Sequence, residues 1–252
     1  MHTPIRSEHP RPDRQRAHWQ TLNGLWGFAF DPEKRGQREA WYSQREYPLQ
    51  IEVPFCYQSP LSGIAGEEDC DVVWYQRAFT LEEALQGDRV LLHFGAVDYL
   101  AQVWLDGQFL GAHEGGYTPF SFDITDAVQG GGTHLLTVRC EDRLDTWQPR
   151  GKQSYRPEAF ACWYTPVTGI WQSVWLEGVG DVYPTDLRIT PQINTGTAEV
   201  ELMLNACPPD TSVRLTVTYQ GQPVLRQEVS THQRLVKTAL QLGHNEEING
   251  VH

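Results

Sequence analysis

The stretch from Arg89 to Asp123 constrains the fold of this chain more than any other segment. Apolar and polar side chains alternate along it, which is typical of β-strands that bury one face. Between two alternating runs stands Asp106-Gly107, a pair that favours a type I′ hairpin because both central positions need positive φ. Gly115-Gly116 predicts a second change of direction. The segment therefore predicts an all-β fold.

Composition narrows the class of protein further. The chain has 252 residues and a formal net charge of −12, which repels nucleic-acid phosphates and anionic lipid. No apolar run approaches the roughly 20 residues of a membrane helix, and the arginine-containing N-terminus has no apolar core typical of a secretory signal. We therefore expect neither nucleic-acid nor membrane partners.

The five cysteines predict a reducing compartment. Their number is odd and their spacing is scattered, which argues against a disulfide framework and against a zinc site. His93 likewise has no Cys or His at a metal-ligand spacing, and no phosphate-binding or dinucleotide fingerprint is present. We expect a cytoplasmic protein without a metal or cofactor.

A second series of alternating strands begins after Gly180. Its turn residues recur at the spacing of a β-sandwich, and about five strands are predicted, including Val182–Pro191, Ala198–Leu204, Val213–Tyr219 and Val224–Val229. Helix signals are limited to two short runs, Leu81–Leu85 and Asp126–Gln129. Strands therefore dominate both halves of the chain.

Several motifs in the first series occur in a family-specific order. They are Leu22–Phe28 (LNGLWGF), Val53–Pro60 (VPFCYQSP), Trp74–Phe79 (WYQRAF), Arg89–Asp123 and Thr168–Glu177 (TGIWQSVWLE). At these residues the chain closely resembles the N-terminal sugar-binding domain of glycoside hydrolase family 2, the family of β-galactosidases, β-glucuronidases and β-mannosidases. The resemblance covers residues from about 18 to 180.

The resemblance implies a fold and a division into domains. Residues 1–17 form an N-terminal arm and residues 18–181 form a jelly-roll-like β-sandwich of the galactose-binding type. Residues 182–252 then correspond to an immunoglobulin-like β-sandwich, which is incomplete because a full seven-stranded domain takes about 100 residues.

The resemblance also implies a reaction. Family members are retaining β-glycosidases whose two catalytic glutamates lie in a (β/α)8 barrel of about 250 residues. No such barrel pattern is present, so we expect no catalytic residue in this chain and no activity from it alone. Asn245-Glu246 resembles the dipeptide that carries the acid/base of such barrels, but it follows no strand and is interpreted as coincidence. Family members are often oligomeric, and the sequence leaves a homo-oligomer open.

The segment between residues 140 and 170 holds the candidate site residues. In relatives this part reaches over the barrel mouth and shapes the substrate pocket, often with a carboxylate that contacts sugar or sodium. That carboxylate falls near Phe160–Cys162, where this chain has no Asp, and Glu158 is the nearest substitute. The predicted pocket-wall or barrel-contact residues are Arg150, Lys152, Gln153, Glu158, Trp163 and Tyr164. An equally weighted interpretation pairs Arg150 and Lys152 with acidic groups of the barrel.

Other aromatic and polar residues have simpler interpretations. Five tryptophans within strand patterns are predicted to pack in the core: Trp26, Trp74, Trp104, Trp171 and Trp175. Trp147 and Trp163 lie in predicted loops. His113 and Glu114 look like a catalytic pair, but we expect hydrogen bonds that stabilise a turn.

A second hypothesis assigns the chain to another class of protein. A stand-alone carbohydrate-binding or scaffold module would work without a barrel, and it would need an exposed aromatic platform. An incomplete second sandwich counts against this hypothesis, because it would leave an exposed sheet edge.

Overall fold

The computed structural model describes residues 6–43, 46–66, 70–85 and 89–243, and Asn245-Glu246 lies outside them. The chain divides into two compact units, one ending at Gly178 and one beginning at Val179. The strands of the first unit are β1 (Trp19–Thr21), β2 (Gly24–Phe30), β3 (Leu49–Val53), β4 (Val72–Thr80), β5 (Arg89–Phe94), β6 (Val97–Asp98), β7 (Leu100–Leu105), β8 (Gln108–Glu114), β9 (Phe120–Asp123), β10 (Thr133–Glu141), β11 (Gly169–Ile170) and β12 (Val174–Val179). The prediction of an all-β fold is confirmed.

Helical structure is scarce in the described part of the chain. It comprises one α-helical turn, α1 (Thr125–Val128), and 3-10 turns at Trp41–Ser43, Pro60–Ser62, Glu83–Leu85 and Ile193–Thr195. Both short helical runs predicted from the sequence are confirmed, at Glu83–Leu85 and at α1. None of these described helices has the length and apolar character needed to cross a membrane.

Two large antiparallel sheets and a two-stranded antiparallel pair, β6-β11, form the first unit. The two large sheets pack face to face. One has the strand order β3-β2-β4-β10-β7-β8 and the other has the order β1-β12-β5-β9. Their inner faces supply one continuous apolar cluster, in which Phe28 and Tyr75 from the first sheet join Leu92, Phe94 and Leu176 from the second. The unit is therefore a β-sandwich whose core lies between the sheets.

The Asp106-Gly107 hairpin forms as predicted. The two residues have φ of 50° and 80° and connect β7 to β8. The carboxylate of Asp106 also accepts hydrogen bonds from the Leu135 backbone amide at 2.7 Å and meets the His134 ring at 2.7 Å. The turn residue thus ties this hairpin to the neighbouring strand β10.

The predicted core tryptophans are buried in four of five cases. Trp26, Trp74, Trp104 and Trp175 are at most 4% exposed. Trp171 is half-buried, and its indole nitrogen donates to the Gly116 carbonyl at 2.8 Å. Its ring therefore fixes the Gly115-Gly116 turn instead of filling the core.

The described part of the second unit contains five strands, which agrees with the number predicted from the sequence. They are β13 (Pro184–Gln192), β14 (Thr197–Leu204), β15 (Ser212–Tyr219), β16 (Gln222–Ser230) and β17 (Leu235–Gln241). They form a three-stranded sheet, β13-β14-β17, and a hairpin, β15-β16. Leu202, Leu204 and Val236 of the sheet pack with Val213 and Val229 of the hairpin. This unit also buries one face of each sheet.

Gly169 is the tightest backbone position in the first unit. Its φ is +93°, and a Cβ on it would lie 2.1 Å from the hydroxyl of the buried Tyr75. Gly107 has a similar φ of +80° but open space around it.

We predict that Gly169→Ala destabilises the first unit more than Gly107→Ala. Both variants carry the cost of a left-handed L-residue, about 1–2 kcal/mol, and Gly169→Ala adds about 1–3 kcal/mol of overpacking. Urea unfolding followed by tryptophan fluorescence measures both, because all nine tryptophans precede Gly178. Equal destabilisation would show that the contact with Tyr75 relaxes without cost.

Candidate functional site

The candidate site is built on the segment that connects β10 to β11, residues 143–168, which we call the 143–168 loop. It contains no strand, but two isolated bridges hold it together, between Gln153 and Tyr164 and between Phe160 and Trp163. The Ser154 amide donates to the Tyr164 carbonyl and the Tyr164 amide to the Lys152 carbonyl, both at 2.8 Å. The loop therefore has a defined conformation of its own.

A buried ion pair joins the base of this loop to the sandwich. Asp142, at the end of β10, is 3% exposed and Arg150 is 8% exposed. The guanidinium of Arg150 donates to the Asp142 carboxylate at 2.7 Å and to the Arg143 carbonyl at 2.6 Å. Thr168 also donates to Asp142, at 2.8 Å, and Gln148 makes a further hydrogen bond to it. Both ends of the loop therefore converge on one carboxylate.

A second buried carboxylate holds the middle of the loop. The amide nitrogen of Gln153 donates to Asp98, at the end of β6, at 2.6 Å, and its amide oxygen accepts from the Val167 backbone at 2.7 Å. The Tyr117 hydroxyl lies 3.1 Å from the same amide nitrogen and donates to the Arg150 carbonyl at 2.8 Å. Gln153 thus links β6, the turn after β8 and the far end of the loop.

The two carboxylates have raised pKa values. Burial, followed by the neighbouring charge of Asp142, raises the pKa of Asp98 to about 6, although Gln153 and Arg150 oppose this. Burial also raises the pKa of Asp142, against the opposing charge and hydrogen bonds of Arg150. A low-dielectric site disfavours charged groups, and the charge of one guanidinium, that of Arg150, has to offset the burial of both carboxylates.

The remaining predicted site residues are on the outside of the loop. Lys152 and Glu158 are exposed, Tyr164 is 64% exposed and Trp163 is half-buried. Trp163 lies edge-on to Tyr155 with ring centroids 6.2 Å apart. Aromatic and charged groups therefore face solvent together on this loop.

A pocket of about 610 Å³ lies between the loop and the segment that follows β3. Asp142 and Thr168 line it beside Glu158. Its other lining residues are Tyr57, Gln58, Pro60, Ala65, Gly66, Cys70, Leu144, Pro157, Thr165 and Pro166. Carboxylates, an amide and an aromatic ring in one concavity are groups that suit a polyhydroxylated ligand.

The structure gives the six predicted residues different positions. Arg150 and Gln153 are buried and hold the loop to the sandwich, and Trp163 is half-buried. The other three, Lys152, Glu158 and Tyr164, are exposed. Arg150 is paired within its own unit, so of the two predicted cations only Lys152 is exposed to an external acidic group. Asp98, Asp142 and Tyr117 also belong to this site and were not predicted from the sequence. Asp98 and Asp142 each stand at the end of an apolar strand, and this position was the sequence signal that could have identified them.

The other polar groups considered from the sequence have structural partners. His113 contacts the Thr118 hydroxyl at 3.0 Å, and Glu114 accepts from the Tyr99 hydroxyl at 3.1 Å. The expectation of turn-stabilising contacts is therefore confirmed. His93 lies 3.4 Å from Glu177. Among the described residues, no group of three His, Cys, Asp or Glu side chains is arranged to hold a metal ion.

The first unit, including the 143–168 loop, matches a known protein family. Residues 19–177 match the family described as Glycosyl hydrolases family 2, sugar binding domain. The chain belongs to this family. The match takes in more than half of the chain, including both sheets of the first unit and the whole 143–168 loop.

Curated relatives carry two enzyme names. A Paenibacillus borealis protein named beta-glucuronidase is 28% identical over 210 residues, which are 77% of this chain and 35% of that protein. A Thermoanaerobacter pseudethanolicus protein named beta-galactosidase is 33% identical over 139 residues, 54% of this chain and 18% of that protein. The chain thus spans about a third or less of the length of these relatives.

A solved structure shows the same fold. It is a β-glucuronidase from Ruminococcus gnavus in complex with D-glucaro 1,5-lactone, and it aligns with a TM-score of 0.70. The alignment covers 92% of this chain and 41% of the glucuronidase chain. At 19% identity this likeness shows the fold alone. The predicted family resemblance and fold class are confirmed.

We predict that Asp142→Asn destabilises the first unit by about 3–5 kcal/mol, because it leaves Arg150 buried without its counter-charge. Asp126→Asn is the matched control, since Asp126 is exposed on α1 and should change stability by about 0.5 kcal/mol at most. Urea unfolding followed by tryptophan fluorescence measures both. A loss for Asp142→Asn no larger than the control would show that the ion pair contributes little.

Proposed function

We propose that this chain is the N-terminal, non-catalytic portion of a retaining β-glycosidase that hydrolyses terminal O-glycosidic bonds. Residues 18–181 would be its sugar-binding jelly-roll domain, and residues 182–252 would belong to an immunoglobulin-like domain. The family match over residues 19–177 carries this proposal. The names of the curated relatives favour a β-glucuronide or β-galactoside as substrate.

The reaction would take place in a (β/α)8 barrel beyond residue 252. There a retaining mechanism needs two carboxyl groups about 5–5.5 Å apart, one as nucleophile and one as acid/base. The first unit would support that barrel and supply one wall of the substrate pocket. In this proposal the chain needs no cofactor, works on carbohydrate only as part of the longer enzyme, and resides in the cytoplasm. All five cysteines are free thiols, which is consistent with a reducing compartment.

The 143–168 loop supplies the proposed wall. Lys152, Glu158, Trp163 and Tyr164 are the groups that would meet substrate or barrel, because they are the predicted residues that reach the surface. Arg150 and Gln153 would position these four residues, since both are buried and hold the loop in place. Tyr164 offers an aromatic face that can stack on the apolar face of a sugar ring.

We predict that the isolated chain does not hydrolyse nitrophenyl β-glucuronide or β-galactoside, whereas the longer protein that contains it does. The reason is that both proposed glutamates lie outside this chain. Release of nitrophenol measures the reaction. Turnover that persists in the isolated chain after repeated purification would contradict the proposal.

A matched pair of tyrosines tests the proposed wall in the longer protein. Tyr164 and Tyr219 are 64% and 61% exposed, and Tyr219 lies in the second unit. Tyr164→Ala should raise KM about tenfold with little change in kcat, a loss of roughly 1.4 kcal/mol of binding. Tyr219→Ala should leave both constants unchanged. Equal effects of the two variants would remove Tyr164 from the wall.

The alternative, a stand-alone carbohydrate-binding or scaffold module, has one observation in its favour. Trp147 is 94% exposed and Tyr155 is 42% exposed on the same loop, as an aromatic platform for sugars requires. Calorimetric titration of the isolated chain with glucuronides, galactosides and mannosides separates the two functions. Saturable binding would favour the module, and its absence would favour the accessory role.

A further inference from the structure

The candidate site buries two carboxyl groups around one guanidinium. Asp98 and Asp142 are each 3% exposed, and Arg150 donates to Asp142 at 2.7 Å. The hydrogen bond to the Asp98 side chain comes instead from the neutral amide of Gln153, at 2.6 Å. The ionic partner is therefore committed to Asp142, and Asp98 is held by a donor that needs no charge on the carboxyl group.

The surroundings of Asp98 leave little room for water. A Cβ on Gly116, in the turn after β8, would lie 2.3 Å from one of its carboxylate oxygens. Titratable and charged groups face it from every neighbouring element. They are Cys140 from β10, Asp142 directly after β10, Arg150 from the 143–168 loop, Tyr117 from the turn, Tyr99 beside it in the chain, and Cys56 after β3. Arg150 is the one cation in this group.

The sign of the pH effect follows from this imbalance. Burial and the charge of Asp142 raise the pKa of Asp98 to about 6, above its ordinary value. A carboxyl group with a raised pKa contributes stability below its ordinary pKa of about 3.9, and that contribution is lost as pH rises through the raised value. Docking of the loop around Asp98 should therefore weaken as pH rises from about 4 and level off above about pH 6.

We propose that Asp98 is a positioning residue for the reaction, and that its ionisation loosens the 143–168 loop from the sandwich. The cost of a buried charge and repulsion from Asp142, which binds Arg150 and Thr168 of the loop, produce the effect, although the hydrogen bond from Gln153 opposes it. The loop carries Lys152, Glu158 and Tyr164, so the pocket wall becomes less ordered as pH rises. The catalytic consequence rests on the proposed function, whereas the movement of the loop does not.

Hydrogen exchange on this chain tests the loop directly. The amides of Ser154, Tyr164 and Val167 donate to acceptors within the loop, and amides of β4 paired with β10 are the internal reference. After correction for intrinsic exchange, loop protection should fall about tenfold from about pH 5 to about pH 8 and level off above the Asp98 pKa. Protection that stays constant relative to the reference amides would overturn the proposal, with no variant required.

Asp98→Asn identifies the group responsible. Asparagine keeps an oxygen that accepts from Gln153 but has no charge to gain, so the fall in protection should shrink to less than about twofold. Asp126→Asn, exposed on α1, should retain the wild-type fall. An unchanged pH response in Asp98→Asn would assign the effect to another group and overturn the role of Asp98.

Kinetics of the longer protein test the catalytic consequence. With nitrophenyl β-glucuronide or β-galactoside, KM should rise with pH more steeply in the wild type than in Asp98→Asn, while the pH dependence of kcat should be the same in both. If loop protection falls with pH as expected but the KM profiles of the wild type and Asp98→Asn are identical, the positioning role alone is overturned. If loop protection falls with pH as expected but the longer protein turns over neither substrate, the proposed function is overturned instead.

Discussion

The two sheets of the first unit can bury their apolar faces only against each other, and this constraint organises the rest of that unit. Each strand places alternate side chains on one face, so a single cluster containing Phe28, Tyr75 and Phe94 forms between the sheets. Connections between strands are then forced to the ends and edges of the sandwich. The long 143–168 loop is one such connection, and its position follows from the packing of β10 and β11 into the two-sheet core.

A loop of this length needs contacts that replace the missing strand pairing. The structure supplies them through buried polar groups, with Asp142 binding both ends of the loop and Asp98 holding its middle through Gln153. Buried carboxylates are expensive unless they are paired and hydrogen-bonded. Asp142 satisfies that requirement with Arg150, whereas Asp98 has a neutral donor and an adjacent negative charge. The same network that orders the loop therefore makes its order dependent on protonation.

Burial separates the predicted site residues into two roles. Arg150 and Gln153 are held inside the unit, and their side chains set the path of the backbone. Lys152, Glu158 and Tyr164 face outward from that path and are the groups available to a substrate or to another domain. Under the proposed function, these outward-facing groups would serve an accessory role, and the buried ones would keep them in place.

The sequence by itself determined the strands, the Asp106-Gly107 hairpin, the short helices and the family, because these depend on alternation, turn preferences and contiguous motifs. It also located the loop that carries the candidate site. Only the tertiary structure showed that Asp142 binds Arg150 and that Asp98 lies close to both, because these residues come from the end of β10, the loop and β6. Their pKa values and the burial of Arg150 depend on packing between segments distant in sequence, and local patterns carry no information about such contacts.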